Sequence, residues 1–197
     1  MADALHEAFI DELKDAYDGE RQLTRALNKM AKTASSPDLQ EAFESHMQET
    51  KGQLERLEEV FGLLEEKVRG KHCEGIAGIV EEGKAIMEED FDDSTMDACL
   101  IATGQRAEHY EIAAYGTLVA WARALGHEDA AGLLRQTLDE EKAADEKLTG
   151  LAEGGINQEA ADAGTDEEEE GEGDEEMAAV ASARRAPPAR SRAAKRG

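Results

Sequence analysis

Seven residues of this chain have the types and the spacing to hold metal ions: Glu20, His46, Glu49, Glu108, Glu111, Glu141 and Asp145. His46 and Glu49 stand three positions apart, as do Glu108 and Glu111, while Glu141 and Asp145 stand four apart. On a helix each pair presents two donors on one face. All seven fall in stripes that otherwise carry apolar residues. A lone carboxylate in such a stripe is costly and tends to protonate rather than stay charged. Several converging at one level make physical sense when cations sit between them. Two divalent ions bring four positive charges, which about four carboxylates and a neutral imidazole would balance. Bridging carboxylates hold such ions roughly 3.5–4 Å apart, close enough to act jointly on one small oxidant.

Carboxylate-bridged metal pairs in helical bundles use a Glu from each of two helices and a Glu-x-x-His pair from each of the other two. This chain departs from that pattern. It reads His-x-x-Glu at 46–49, Glu-x-x-Glu at 108–111 and Glu-x-x-x-Asp at 141–145. Six carboxylates over-neutralise two divalent ions, so one or two of the seven belong outside direct coordination. The oxygen-rich set leaves iron and manganese both open. Any one of these acids, taken alone, reads better as the solvated edge of an apolar stripe. The group reads as a metal site, because all four long helical segments carry an acid inside the stripe.

Periodicity defines the elements that must position these residues. Leu5, Phe9, Leu13, Ala16, Tyr17, Leu23, Leu27 and Met30 recur at helical steps and predict a helix over about 3–34. Ser36 is the expected N-cap, and Pro37 the first residue, of a second helix with the stripe Leu39, Phe43, His46, Thr50, Leu54, Leu57, Phe61 and Leu64. After a polar, glycine-containing break, CEGIAGIVEEGKAIMEE reads as a shorter helix. Asp92, Asp93 and Ser94 supply capping residues for a third long helix over about 94–125, and Gly126 ends it. A fourth spans about 129–152 and closes at Gly154 and Gly155. Connections that run short, long, short predict an all-α, ferritin-like four-helix bundle. It comprises two antiparallel hairpins joined by a long crossover that contains the extra helix.

Residues 1–155 are thus expected to form the bundle, and 156–197 a disordered tail without apolar periodicity. The tail holds nine acids in 166–176 and six bases in 184–196. Residues 1–160 carry 36 acids against 16 bases, which disfavours nucleic-acid or anionic-membrane binding by the body. The basic tail end is the one segment able to touch DNA, weakly, with the acidic block opposing it. Cys73 and Cys99 form no CxxC, the first residues lack a signal-peptide pattern, and no stretch reaches the ~20 apolar residues of a membrane span. A soluble cytoplasmic protein is the expectation. Tyr17 and Tyr115, each one turn from an acid of the set, are expected to pack with hydrogen-bonded hydroxyls. His6, His72, His109 and His127 are expected at the surface.

The stretches DAYDGERQLTRALNKMA, LQEAFESHMQETKGQLERLEEVF, CEGIAGIVEEG, AEHYEIAAYGTL and LLRQTLDEEKAADEKLTGLA resemble the YciE/YciF-type ferritin-like stress proteins (DUF892) over about residues 4–152. The runs around Glu108–Glu111 and Glu140–Asp145 are the most specific. The resemblance implies a ferritin-like bundle, a homodimer, a di-iron site and a link to stress. Its metal ligands would be Glu20, His46, Glu49, Glu108, Glu111 and Glu141, with Asp145 in addition. Two iron ions, with manganese as the alternative, would then react with peroxide or oxygen, as a ferroxidase or peroxide-reducing oxidoreductase. A non-catalytic stress protein acting through dimerisation or partner binding is the competing expectation, and DNA shielding by the basic tail a third.

Overall fold

The computed structural model describes residues 4–163; the acidic block and basic end of the tail lie outside them. The described residues are all-helical. They form α1 (Ala4–Thr33), α2 (Pro37–Leu63), α3 (Glu74–Ile86), α4 (Asp93–Ala124) and α5 (Glu128–Leu151). Local chemistry sets the boundaries. The Ser36 side chain accepts from the Leu39 amide ahead of Pro37, and Asp92 accepts from the Ser94 and Thr95 amides at 3.0 Å each. These contacts satisfy amides that have no partner inside the helix. Gly126, at φ +80°, closes α4: its left-handed backbone lets the His127 amide reach the Ala122 carbonyl at 2.8 Å.

Apolar packing fixes the helix directions. One core cluster joins Phe9 and Leu13 of α1 to Leu57 and Phe61 of α2, Leu118 of α4 and Leu134 of α5. A second joins Leu27 and Met30 of α1 to Leu39 and Phe43 of α2, Leu100 of α4 and Leu148 of α5. The start of α1 therefore meets the end of α2, and the end of α4 meets the start of α5. Each pair is antiparallel, as their short connections require. α2 finishes at one end of the molecule and α4 begins at the other, so the crossover through α3 traverses its length. α3 lies along α1 and α4, where Ile76 and Cys73 pack against Leu23 and Ala107.

Close approach depends on small residues at one level. A Cβ on Gly104 would come within 2.9 Å of Leu148 and 3.3 Å of Phe43, so glycine lets α4 press against α5 and α2. Asp97 of α4, almost fully buried, accepts from the Ser35 and Ser36 amides at 2.8 and 2.7 Å and from the Ser35 hydroxyl at 2.9 Å. It ties the α1–α2 turn to the start of α4.

Two expectations need correction. Gly155, at φ +152°, breaks the helix as expected, but helical structure resumes beyond this kink over residues 157–163. Ile156 and Ala152 are buried in the second core cluster and anchor this extension. In α2 the stripe passes through Gln53, which is fully buried, while Leu54 is only partly buried.

Candidate metal centre

The two apolar clusters leave a polar layer between them. α1 contributes Glu20, α2 contributes His46, Thr50 and Gln53, α4 contributes Glu108, Glu111 and Tyr115, and α5 contributes Thr137 and Glu141, all buried. Each lies between the apolar anchors of its own helix, which is why four separate helices deliver polar side chains to one level.

His46, Glu108, Glu111 and Glu141 each offer a ligand atom, and these atoms lie within 4.8 Å of one another. His46 Nε2 stands 3.1 Å from Glu108 Oε1 and 3.6 Å from Glu141 Oε2. Its other nitrogen, Nδ1, lies 3.4 Å from Glu49 Oε2. Glu20 adjoins the group and accepts the hydroxyl hydrogen bond of Tyr115. Gln53 donates to Glu141 and, at 3.2 Å, to Glu140. Arg56 holds Glu140 at 2.7 Å and donates to Thr137 at 2.6 Å, closing the α2–α5 side of the layer.

Crowding shapes the charge of this layer. Burial, aided by Glu108, raises the Glu20 carboxyl to about 7, against hydrogen bonds from Tyr115 and Glu111 that lower it. Burial and repulsion from Glu20 hold Glu111 well above the ordinary carboxylate range, and the same causes act on Glu141. Burial pulls the His46 imidazole down, but Glu108, Glu49 and Glu141 together outweigh it and hold it well above its ordinary value. Without metal, Glu20, Glu111, Glu141 and His46 all hold their protons more tightly than they would in water.

Of the seven residues predicted from sequence, four converge and Glu20 sits beside them. The other two lie at the margin. The Glu49 side chain is 48% exposed and touches the layer only through His46 Nδ1, the position from which a carboxylate orients a ligating histidine. Asp145 is 23% exposed and faces the exposed His109 at 3.3 Å. That leaves four buried carboxylates and one imidazole, the charge that two divalent cations require. Four carboxylate oxygens are buried with no hydrogen-bond partner: Oδ1 of Asp145, which faces His109, and Oε2 of Glu20, Glu108 and Glu141 in the layer. Unpartnered buried oxygens are costly, and a cation would satisfy the three in the layer. The donor set could therefore hold a metal ion.

Sequence reasoning missed Gln53, whose type and position seven residues after His46 were the available signal. Tyr115 packs with a hydrogen-bonded hydroxyl as expected, and the acceptor is Glu20 of the layer. Tyr17 instead bonds Glu58 at 2.9 Å, away from the layer. Among the histidines expected at the surface, His72 and His109 are exposed, while His127 stacks on Phe9 at 6.1 Å.

The arrangement has known relatives. Residues 4–161 match the family described as "Domain of unknown function (DUF892)". Protein YciF of Escherichia coli is 44% identical over 157 residues, covering 79% of this chain and 95% of that protein. The crystal structure of the E. coli stress protein YciF superimposes with a TM-score of 0.76, covering 80% of this chain and 99% of that one. YcfI from Rhodopseudomonas palustris, 42% identical, gives 0.73 over 75% of this chain and 94% of its own. On this match of sequence and fold, the chain belongs to the DUF892 family of YciF-like proteins.

Proposed function

We propose that the protein is a ferritin-like four-helix bundle that holds two metal ions, iron rather than manganese, and reacts Fe(II) with peroxide or oxygen during stress. One observation carries this reading: buried carboxylates and an imidazole from all four long helices meet in one layer, with Glu20, Glu108 and Glu141 oxygens left unpartnered. Glu20, His46, Glu108, Glu111 and Glu141 would hold the ions, and Glu49 would orient His46. A bound Fe(II) pair supplies two electrons to one oxidant. The chain's own part is to fix the donors on rigid helices, keep bulk water out with the two apolar clusters, and exchange protons for cations on the carboxylates.

The stress assignment is supported by YciF, described as a stress protein. A homodimer follows the family resemblance, and sedimentation of the purified protein tests it. Among the described residues no helix is long and apolar enough to cross a membrane, in keeping with a cytoplasmic protein. Metal content after expression in iron-supplied medium tests the central reading. Two irons per chain and accelerated Fe(II) oxidation are expected. A protein that stays metal-free and oxidises Fe(II) no faster than buffer would sink it.

A second reading has an observation of its own. The raised carboxyls of Glu111 and Glu141 allow the layer to persist protonated, as a purely structural element in a non-catalytic stress protein. Glu141→Ala separates the two. It abolishes metal uptake under the first reading, and leaves function intact with equal or higher stability under the second.

A further inference from the structure

Two cavities reach the polar layer, and both touch His46 and Glu108. The smaller, about 130 Å³, lies between α2 and α5 beside Glu49 and Lys147. The larger, about 290 Å³, lies between α1, α3 and α4. Its walls include Leu23, Leu27, Met30, Ile79, Val80 and Ala107. Its two exposed lining residues, Arg25 and Lys29, are cationic, while the half-exposed Lys84 is already paired with Glu81 at 2.8 Å. On a chain of net charge −24, a lining whose exposed residues are both cationic runs against the charge of the chain as a whole.

Hydrogen peroxide is scarcely larger than water and needs neither this room nor apolar walls. A molecule with an apolar body does, because each buried CH₂ contributes roughly 0.8 kcal/mol. An anionic head at the mouth would meet Arg25 and Lys29. The inner end of the same molecule would stand against His46 and Glu108, whose Oε2 is buried and unpartnered. The cavity is thus apolar along its walls, cationic outside and continuous with the metal centre inside.

We propose that this cavity binds an organic hydroperoxide with an apolar chain and an acidic head, the class to which oxidised fatty acids belong. The assignment rests on the metal-dependent function above and names its oxidant. The chain lies along Leu23, Ile79 and Val80, the carboxylate pairs with Arg25 and Lys29, and the hydroperoxide group reaches the layer beside His46. There a bound Fe(II) pair would supply two electrons, each ion going to Fe(III), and solvent two protons, so that breaking the O–O bond would give an alcohol and water.

Decanoate is an unreactive stand-in, and calorimetry on the metal-free protein reads its binding. One molecule per chain is expected. Val80→Trp, on the half-buried face of α3, fills the cavity and weakens binding by about tenfold. Arg25→Gln with Lys29→Gln keeps the walls intact and weakens decanoate more than decanol. With Fe(II) loaded, the rate given by linoleic acid hydroperoxide relative to hydrogen peroxide falls about tenfold in Val80→Trp. Absence of decanoate binding, or affinity untouched by both variants, overturns the proposal. A protein that oxidises Fe(II) with hydrogen peroxide yet binds no decanoate loses this assignment alone. One that binds decanoate but takes up no metal loses the hydroperoxide chemistry and the function above together.

Discussion

The acids of the layer are defined by what they hold, protons or cations. Burial raises the Glu20 carboxyl to about 7, and burial with repulsion from Glu20 holds Glu111 and Glu141 well above the ordinary carboxylate range, so the metal-free layer keeps protons that free carboxylates would have lost. Binding of a divalent ion must displace those protons. Metal titrations in buffers of different ionisation heat should therefore show proton release that grows as pH falls from 8 toward about 6. Zero release would contradict the protonated layer. Tyr115→Phe removes the hydroxyl that Glu20 accepts from and should lower metal-free stability by about 1–3 kcal/mol in urea melts. How far these residues were legible depended on type and spacing. Glu20, Glu108, Glu111 and Glu141 stood out because a carboxylate inside an apolar stripe breaks the pattern. Gln53 did not stand out, because neutral amides break it less and Leu54 offered an apolar residue one step away. Spacing also could not separate Asp145 from Glu141. Four residues put both on one face, but helix rotation decides which points inward, and that comes from tertiary packing.

At the scale of elements, two devices set how the helices meet. Asp97 gathers three hydrogen bonds from the α1–α2 turn, and Asp97→Ala removes all three from a partly buried contact. A loss of about 1–3 kcal/mol is expected from thermal or urea unfolding. Gly104→Val puts side-chain atoms where Leu148 and Phe43 already stand, and should cost about 1–3 kcal/mol through displaced helices. Because Gly104 lies one turn before Glu108, the same change should also weaken metal binding; unchanged affinity would show the layer to be independent of that contact. The helices themselves were plain in the sequence, since long 3.6-residue periodicities and the caps at Ser36, Asp92 and Gly126 leave little choice. The Asp97 clamp was hidden, because residues 61 and 62 positions apart share no local pattern. The helix past Gly155 was also missed. Two adjacent glycines signal a break, which Gly155 makes, and burial of Ile156 beyond it lets a further helical segment form.

For the whole molecule, two apolar ends bracket a charged middle, and pH and metal act on the same balance. Glu20, Glu111, Glu141 and His46 all hold their protons more tightly folded than unfolded. The stability each contributes is full below its unfolded value and is lost as pH rises through its folded value. The metal-free protein should therefore melt at progressively lower temperature as pH climbs from about 5 through 7 and above, with Glu20→Gln flattening the fall. The acidic surface pushes in the same direction, so the difference between variant and parent is the informative quantity. Fold, family and the convergence of His46 with three glutamates rest on geometry; the claim that this layer holds a metal pair is the one to test. Crystals of the iron-loaded protein, measured on both sides of the iron absorption edge, test it most directly. Two anomalous peaks roughly 3.5–4 Å apart, enclosed by Glu20, His46, Glu108, Glu111 and Glu141, are the predicted result. Iron only at the surface, or a layer with no peak under saturating Fe(II), would contradict it.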